Sequence, residues 1–108
     1  MAMLFQVLSY ENQSMTKLNP ILHQELRLSI ISFLVNAEWV DFMKLIEVTQ
    51  ASKGNLSVQI SKLQESGYIE VKKSFKRNYP HTECRATDAG KNEFENYLIQ
   101  LKQLLNLE

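Results

Sequence analysis

The chain has one cysteine, three glycines and two prolines in 108 residues. A lone cysteine excludes an internal disulfide, which favours a reducing, intracellular compartment. It also excludes the paired cysteines of the usual zinc spacings, including the closely spaced cysteines of a metal sensor. With so few glycines, no phosphate-cradling loop is present. No apolar run approaches the roughly 20 residues of a membrane helix. Met1 to Tyr10 lacks the basic start and small-residue cleavage pattern of a signal peptide. Charge of one sign is missing as well. Twelve Lys and Arg balance twelve Asp and Glu, so the net field selects no polyanion. Internal repeats and low-complexity tracts are absent.

Catalytic constellations are missing too. His23 and His81 belong to different elements, and neither has a metal-ligand spacing around it. Ser57 and Ser61 have no neighbouring base to activate them. The chain is therefore expected to be no enzyme and to need no metal or cofactor. His23, near a helix start, reads as a packed or capping residue. Cys84 reads as a small apolar residue of a strand.

What is present centres on Ser52–Gly67, SKGNLSVQISKLQESG. Ser52 can cap a first turn, and Gly67 can supply the left-handed residue that closes a helix. Leu56, Ile60 and Leu63 fall at i, i+4 and i+7, on one stripe. Opposite them lie Gly54, Asn55, Ser57, Val58, Ser61 and Lys62. Such a small, polar outer face suits the DNA major groove. An ordinary amphipathic surface helix carries the same pattern.

The residues on either side give this helix a context. Met3, Leu4, Val7 and Leu8 predict a short helix before a polar break. Asn19-Pro20 is a helix start signal, and apolar stripes from Ile21 to Val35 predict a central helix ending near Asn36–Glu38. Trp39-Val40-Asp41 reads as a minor strand. Asp41 then caps a helix over Phe42–Thr49, with Phe42, Leu45, Ile46 and Val48 inward. After Gly67 the period falls to two, with Ile69 and Val71 on one side and Glu70 and Lys72 on the other. Ser74–Pro80 reads as a loop or hairpin tip, and Thr82–Ala86 alternates again with Cys84 and Ala86 inward. Thr87 caps a last helix that runs to the end of the chain. Five Lys or Arg against one acid, Glu83, lie between Lys72 and Arg85, which marks a local anionic contact.

This order predicts a mainly α fold with a small β-ribbon, a winged helix-turn-helix with additional N- and C-terminal helices. Residues 1–17 form an extension, residues 18–88 the winged domain, and residues 89–108 a dimerisation helix. In this arrangement the second helix of the pair, residues 52–66, enters the major groove. The wing, residues 72–81, reaches the backbone.

From Leu18 to about Leu101 the chain resembles a family of small winged-helix transcriptional regulators related to the MarR and ArsR groups. The resemblance rests on Leu18-Asn19-Pro20-Ile21-Leu22-His23, Arg27, Asp41-Phe42 and Leu45. It is strongest in Gly54-Asn55-Leu56-Ser57, continuing to Leu63 and Glu65-Ser66-Gly67-Tyr68-Ile69, and Thr82, Arg85, Thr87-Asp88-Ala89-Gly90 and Tyr97 complete it. The wing departs from the family, with Asn78-Tyr79-Pro80-His81 in place of a more arginine-rich tip. The resemblance implies a cytoplasmic, dimeric, DNA-binding regulator. Because related regulators include thiol sensors, it also leaves a redox role for Cys84 open.

The function expected is sequence-specific binding of double-stranded DNA as a homodimeric repressor. Lys53, Asn55, Ser57, Val58, Ser61 and Lys62 are the candidates on the groove helix. Lys72, Lys73, Lys76, Arg77 and Tyr79 are the candidates in the wing. Phe94, Tyr97, Leu98, Leu101, Leu104 and Leu105 form a stripe too long for so small a core, and are expected at a dimer seam. The alternative is a protein-interaction module on the same fold, which zero net charge and Glu65 beside the groove face favour. A third reading is a regulator with a small-molecule effector bound by Trp39, Phe42, Phe94 or Tyr97.

Overall fold

A computed structural model of the chain describes residues 17–106. These residues form four helices and a three-stranded antiparallel sheet. The helix expected over Met3–Leu8 lies outside them.

The start signal at Asn19-Pro20 produces one turn only. Asn19 Oδ1 accepts from the amides of Ile21 and Leu22 at 2.8 and 3.3 Å, and His23 N–H donates to Asn19 O at 2.8 Å. Gln24 then turns extended, at φ −153, and its side chain caps the first helix by accepting from Arg27 N at 2.8 Å. Helix α1 therefore spans Glu25–Leu34 and begins after a kink rather than at Pro20. It buries Leu26, Ile30, Ile31 and Leu34, while Leu28, Phe33 and Val35 pack partly against the same core. Both stripes are used because α1 packs against all three other helices and strand β3.

Strand β1 is Val40–Asp41, and Asp41 caps α2, Phe42–Thr49, by accepting from Met43 N at 2.6 Å. Gln50 ends α2 in the left-handed region at φ 59. Leu45 is buried, with Phe42 and Ile46 half-buried. Val48 is 40% exposed, not inward as expected. It sits two residues past Ile46, about half a turn away on the helix.

Helix α3 spans Lys53–Glu65, with the predicted cap at Ser52, whose Oγ accepts from Asn55 N at 3.2 Å. Gly67, at φ 80, closes it. Gly67 N–H donates to Gln64 O and Tyr68 N–H donates to Leu63 O, the paired bonds that satisfy a helix's last carbonyls.

Strands β2, Ile69–Lys76, and β3, Tyr79–Ala86, pair throughout their length. The expected loop over Ser74–Pro80 shrinks to Arg77-Asn78, both left-handed at φ 52 and φ 69. Two such residues make the hairpin turn whose twist matches the strands. Pro80 is tolerated in β3 because it pairs with Phe75, one step beyond the closing pair Lys76–Tyr79. At that step of an antiparallel ladder the amide points away from the partner strand. β1 pairs only with Glu83 and Cys84, so nothing in the sheet calls on an amide at Pro80.

Helix α4, Asp88–Leu104, starts at the predicted cap, where Thr87 Oγ1 accepts from Gly90 N at 3.0 Å. Its first turn presses on the chain leaving α3. Thr87 N–H and Oγ1 donate to Tyr68 O at 3.0 Å and Gly67 O at 2.6 Å. A Cβ on Gly90 would stand 2.1 Å from Tyr68 O. Gly54, by contrast, has no heavy atom within 4 Å of its Cβ position.

Helix propensity alone favours alanine over glycine by about 1 kcal/mol. The contact with Tyr68 reverses that sign at Gly90. We expect Gly90→Ala to lower stability by about 1–3 kcal/mol or more, the cost of overpacking a backbone contact. Gly54→Ala should be neutral or mildly stabilising. Urea denaturation of the two variants beside the parent checks both, and a Gly90→Ala protein at least as stable as the parent contradicts the packing argument.

Candidate nucleic-acid interface

Helix α3 turns Leu56, Ile60 and Leu63 inward. That leaves Lys53, Asn55, Ser57, Val58, Ser61 and Lys62 exposed, with Val58 at 50%. All of the predicted groove residues are therefore on the surface of one helix. At its N-terminus, backbone N–H groups unpaired within the helix face outward with their partial positive charge. Gln59, half-buried at the side of this face, donates from Nε2 to Asn55 Oδ1 at 3.1 Å. By periodicity alone Gln59 is one more polar residue of the helix.

The wing residues divide between two faces. Strand alternation places Lys73 and Phe75 on the same side as Ile69 and Val71, toward the helices. A groove of about 290 Å³ separates α3 from the ribbon, lined by Ser57, Ser61 and Gln64 on one wall and Lys73 and Thr82 on the other. Lys73 thus joins the α3 face.

Lys72 does not. It points to the outer side of the sheet, 3.5 Å from Glu83 and 4.4 Å over the Trp39 ring. Arg85 covers the same ring at 4.7 Å and pairs with Glu70 at 2.7 Å. Lys72 thus has partners within the chain, and the register sets Lys76 and Tyr79 on the same side of the ribbon, nearer its tip. Among the described residues, Lys53, Lys62, Lys73, Lys76 and Arg77 have no ion-pair partner. Their charge is available to a ligand.

The ribbon tip is aromatic as well as basic. Tyr79 is 73% exposed, and Phe75, which the sequence reading passed over, is 77% exposed. Continuing the alternation from Ile69 and Val71 through residues 73 and 75 would have found it.

On α4 the predicted seam splits in the same way. Leu98, Leu104 and Leu105 are exposed, as is Ile99 beside them. Phe94 and Leu101 pack partly on the core. Tyr97 is corrected from the seam to the interior. It is 3% exposed, and its hydroxyl lies 2.8 Å from His23 Nδ1, which gives both residues a structural partner.

The proposed effector pocket does not assemble. Phe42 lines the α3 groove, Phe94 lines a cleft between α1 and α4, and Trp39 lies on the outer sheet face. Among the described residues no group of three His, Cys, Asp or Glu could hold a metal ion, and no helix is long and apolar enough to cross a membrane.

Comparison with known proteins identifies the fold family. A family model described as a winged helix DNA-binding domain matches residues 26–105. An uncharacterized protein of Methanocaldococcus jannaschii is 32% identical over 84 residues, 78% of this chain and 91% of its own. A transcriptional regulator homologue from Pyrococcus horikoshii OT3 aligns with a TM-score of 0.79 at 28% identity, over 90% of this chain and 95% of that one. Bacillus subtilis PadR, solved in complex with operator DNA, aligns at 0.63 with 18% identity, over 70% of this chain and 49% of that one. At that identity PadR shows the fold alone.

Cys84 stands apart from the interface. It is fully buried, and burial pushes its thiol up from 9.0 to about 11. A buried, protonated thiol is a poor nucleophile. Alkylation at pH 8 should therefore require unfolding. The pH dependence has a definite sign. Between pH 9 and about 11 the unfolded thiol ionises while the folded one does not, so stability falls as pH rises through that window. Denaturation across pH 8–11 should show a steeper loss in the parent than in Cys84→Ala. Equal slopes, or rapid native-state labelling, would contradict the assignment.

Proposed function

The chain belongs to the winged helix DNA-binding domain family, and from that premise we propose that it is a sequence-specific regulator of transcription. It binds double-stranded DNA in the cytoplasm as a homodimer and acts as a repressor. The observation that carries this reading is the groove between α3 and the ribbon. The exposed polar side of α3 forms one wall and Lys73 stands on the other, while the unpaired Lys76 and Arg77 lie beyond it at the ribbon tip.

Helix α3 enters the major groove. Asn55 reads adenine through two hydrogen bonds, and Val58 touches a thymine methyl. Ser57, Ser61 and Lys62 line the groove walls. Lys53 and the free amides of the first turn hold a phosphate. Lys76 and Arg77 carry the wing onto the backbone, and Phe75 and Tyr79 add apolar contact with sugars. Leu98, Leu104 and Leu105 meet their copies across a two-fold axis, which lets one patch cover itself. That axis sets two α3 helices about 34 Å apart and selects a palindrome.

Selection from random duplex DNA should enrich a palindromic site. No enrichment would instead favour a protein-docking role for the same surface. Asn55→Ala should relax one position per half-site, at a cost of about 1–3 kcal/mol. Replacing Lys76 and Arg77 by Ala should weaken all sequences alike and flatten the log–log salt dependence by roughly 0.9 per lost contact. An unchanged slope would return both charges to solvent. Leu98→Glu with Leu105→Glu should halve the mass measured by light scattering. A parent protein already monomeric at tens of micromolar, roughly the middle of the usual affinity scale, would overturn the dimer.

A further inference from the structure

A chain of hydrogen bonds runs from α1 to the outer face of α3. Arg27 is half-buried, and its guanidinium is held in place by the turn before α1. Nε donates to Ile21 O at 2.6 Å and Nη2 donates to Pro20 O at 3.4 Å. Nη1 donates to Gln59 Oε1 at 2.5 Å. Gln59 Nε2 in turn donates to Asn55 Oδ1 at 3.1 Å. Among the described residues nothing accepts from Asn55 Nδ2.

The direction of this chain is not arbitrary. A guanidinium has five N–H donors and no acceptor. Only the oxygen of Gln59 can face it. That leaves the NH₂ of Gln59 to face Asn55, which must answer with its oxygen. The Asn55 NH₂ is then left free of the relay, on a residue exposed at the surface of α3. The terminal torsion of asparagine is broad and roughly two-fold, so an isolated asparagine would sample both orientations. Here the donor-only group at the far end removes that freedom.

From this geometry we infer that Arg27, acting through Gln59, is the positioning residue that fixes which edge of Asn55 faces the DNA. This inference rests on the reading of α3 as the groove helix. Neither Arg27 nor Gln59 needs to touch a base. Adenine presents an acceptor, N7, beside a donor, the N6 amino group, in a fixed left-to-right order. An amide held one way round matches that order, and reversed it does not. With one Oδ1 lone pair occupied by Gln59, the other remains for the adenine amino group. Pre-setting the amide also removes the cost of ordering it on binding.

Gln59→Glu isolates the effect. Its carboxylate still accepts from Arg27 but cannot donate to Asn55. The Asn55 amide must then turn round to donate its NH₂ to Glu, which exchanges donor and acceptor at the outer edge. We expect the adenine preference at one position per half-site, about 5- to 100-fold for a bidentate pair, to disappear in Gln59→Glu. Preferences elsewhere in the site should persist while overall affinity falls from the added negative charge. Gln59→Leu removes both bonds and should blunt the same position without favouring another base. A Gln59→Glu protein that keeps the parent's preference at every position, with affinity merely scaled down, overturns the inference.

A readout without DNA separates the relay from the proposed function. In ¹⁵N-labelled protein, Gln59→Glu should shift the Asn55 side-chain NH₂ resonances as those hydrogens gain a charged acceptor. Unchanged Asn55 resonances sink the relay, even if the parent binds a palindrome. If the parent selects no duplex at all, the DNA reading fails while the resonances still report on the relay.

Discussion

The contact between Gly90 and the Tyr68 carbonyl is the constraint on which the arrangement depends. Helix α4 approaches the chain leaving α3 so closely that no side chain fits between them. Around this point Thr87 bonds to the carbonyls of Gly67 and Tyr68 while its hydroxyl also caps α4. Asn19 Nδ2 lies 2.8 Å from both Tyr68 Oη and Glu93 Oε1, which brings the start of the domain to the same joint. The exit of α3, the root of the wing and the start of α4 are thereby fixed together. The separation between groove helix and wing follows from that joint, and so does the direction in which the exposed leucines of α4 project.

The ribbon gains stiffness from its outer face. Lys72 and Arg85 enclose Trp39, and each also meets a carboxylate on the neighbouring strand. His81 lies 3.5 Å from Asp41 and 3.7 Å from Glu83 on the same face. Exposed pairs of this kind contribute little one at a time. Cation–π stacking adds about 0.5–1 kcal/mol at such a site. Their combined effect is to occupy Lys72 and Arg85, the outer cations beside Trp39, within the chain. The inner face keeps Lys73, and the tip keeps Lys76 and Arg77, so the wing's free positive charge lies toward α3 and the tip. A protein of zero net charge can therefore present a locally basic face.

Much of the fold could be read from local chemistry. The caps at Ser52, Asp41 and Thr87, and the left-handed Gly67, each depend on hydrogen bonds within a few residues. The stripe Leu56, Ile60, Leu63 depends only on helical periodicity. Local rules failed where two of them competed. Asn19-Pro20 signals a helix start and does form a turn, but Gln24 breaks it and caps α1 afresh. Proline at position 80 argued for a loop, yet the hairpin continues because the ladder requires no amide there.

The sequence by itself determined the starts of α2, α3 and α4 and the end of α3, which stripe of α3 is buried, and hence which side chains it exposes. Those features follow from contacts about one turn long, and the side chains involved are neighbours in any compact state. The tertiary structure decided which of those exposed groups share a site. Alternation already sets Lys72 and Lys73 on opposite sides of β2, but only the tertiary structure brings Trp39 and Glu83 to Lys72 and the α3 groove to Lys73. Tyr97 fits an exposed stripe by spacing, but a hydroxyl partner 74 residues away draws it into the core. Gln59 reads as one more polar helix residue until Arg27, 32 residues earlier, is brought beside it. Periodicity assigns a side chain to a face, but only long-range packing supplies the partner that face will meet.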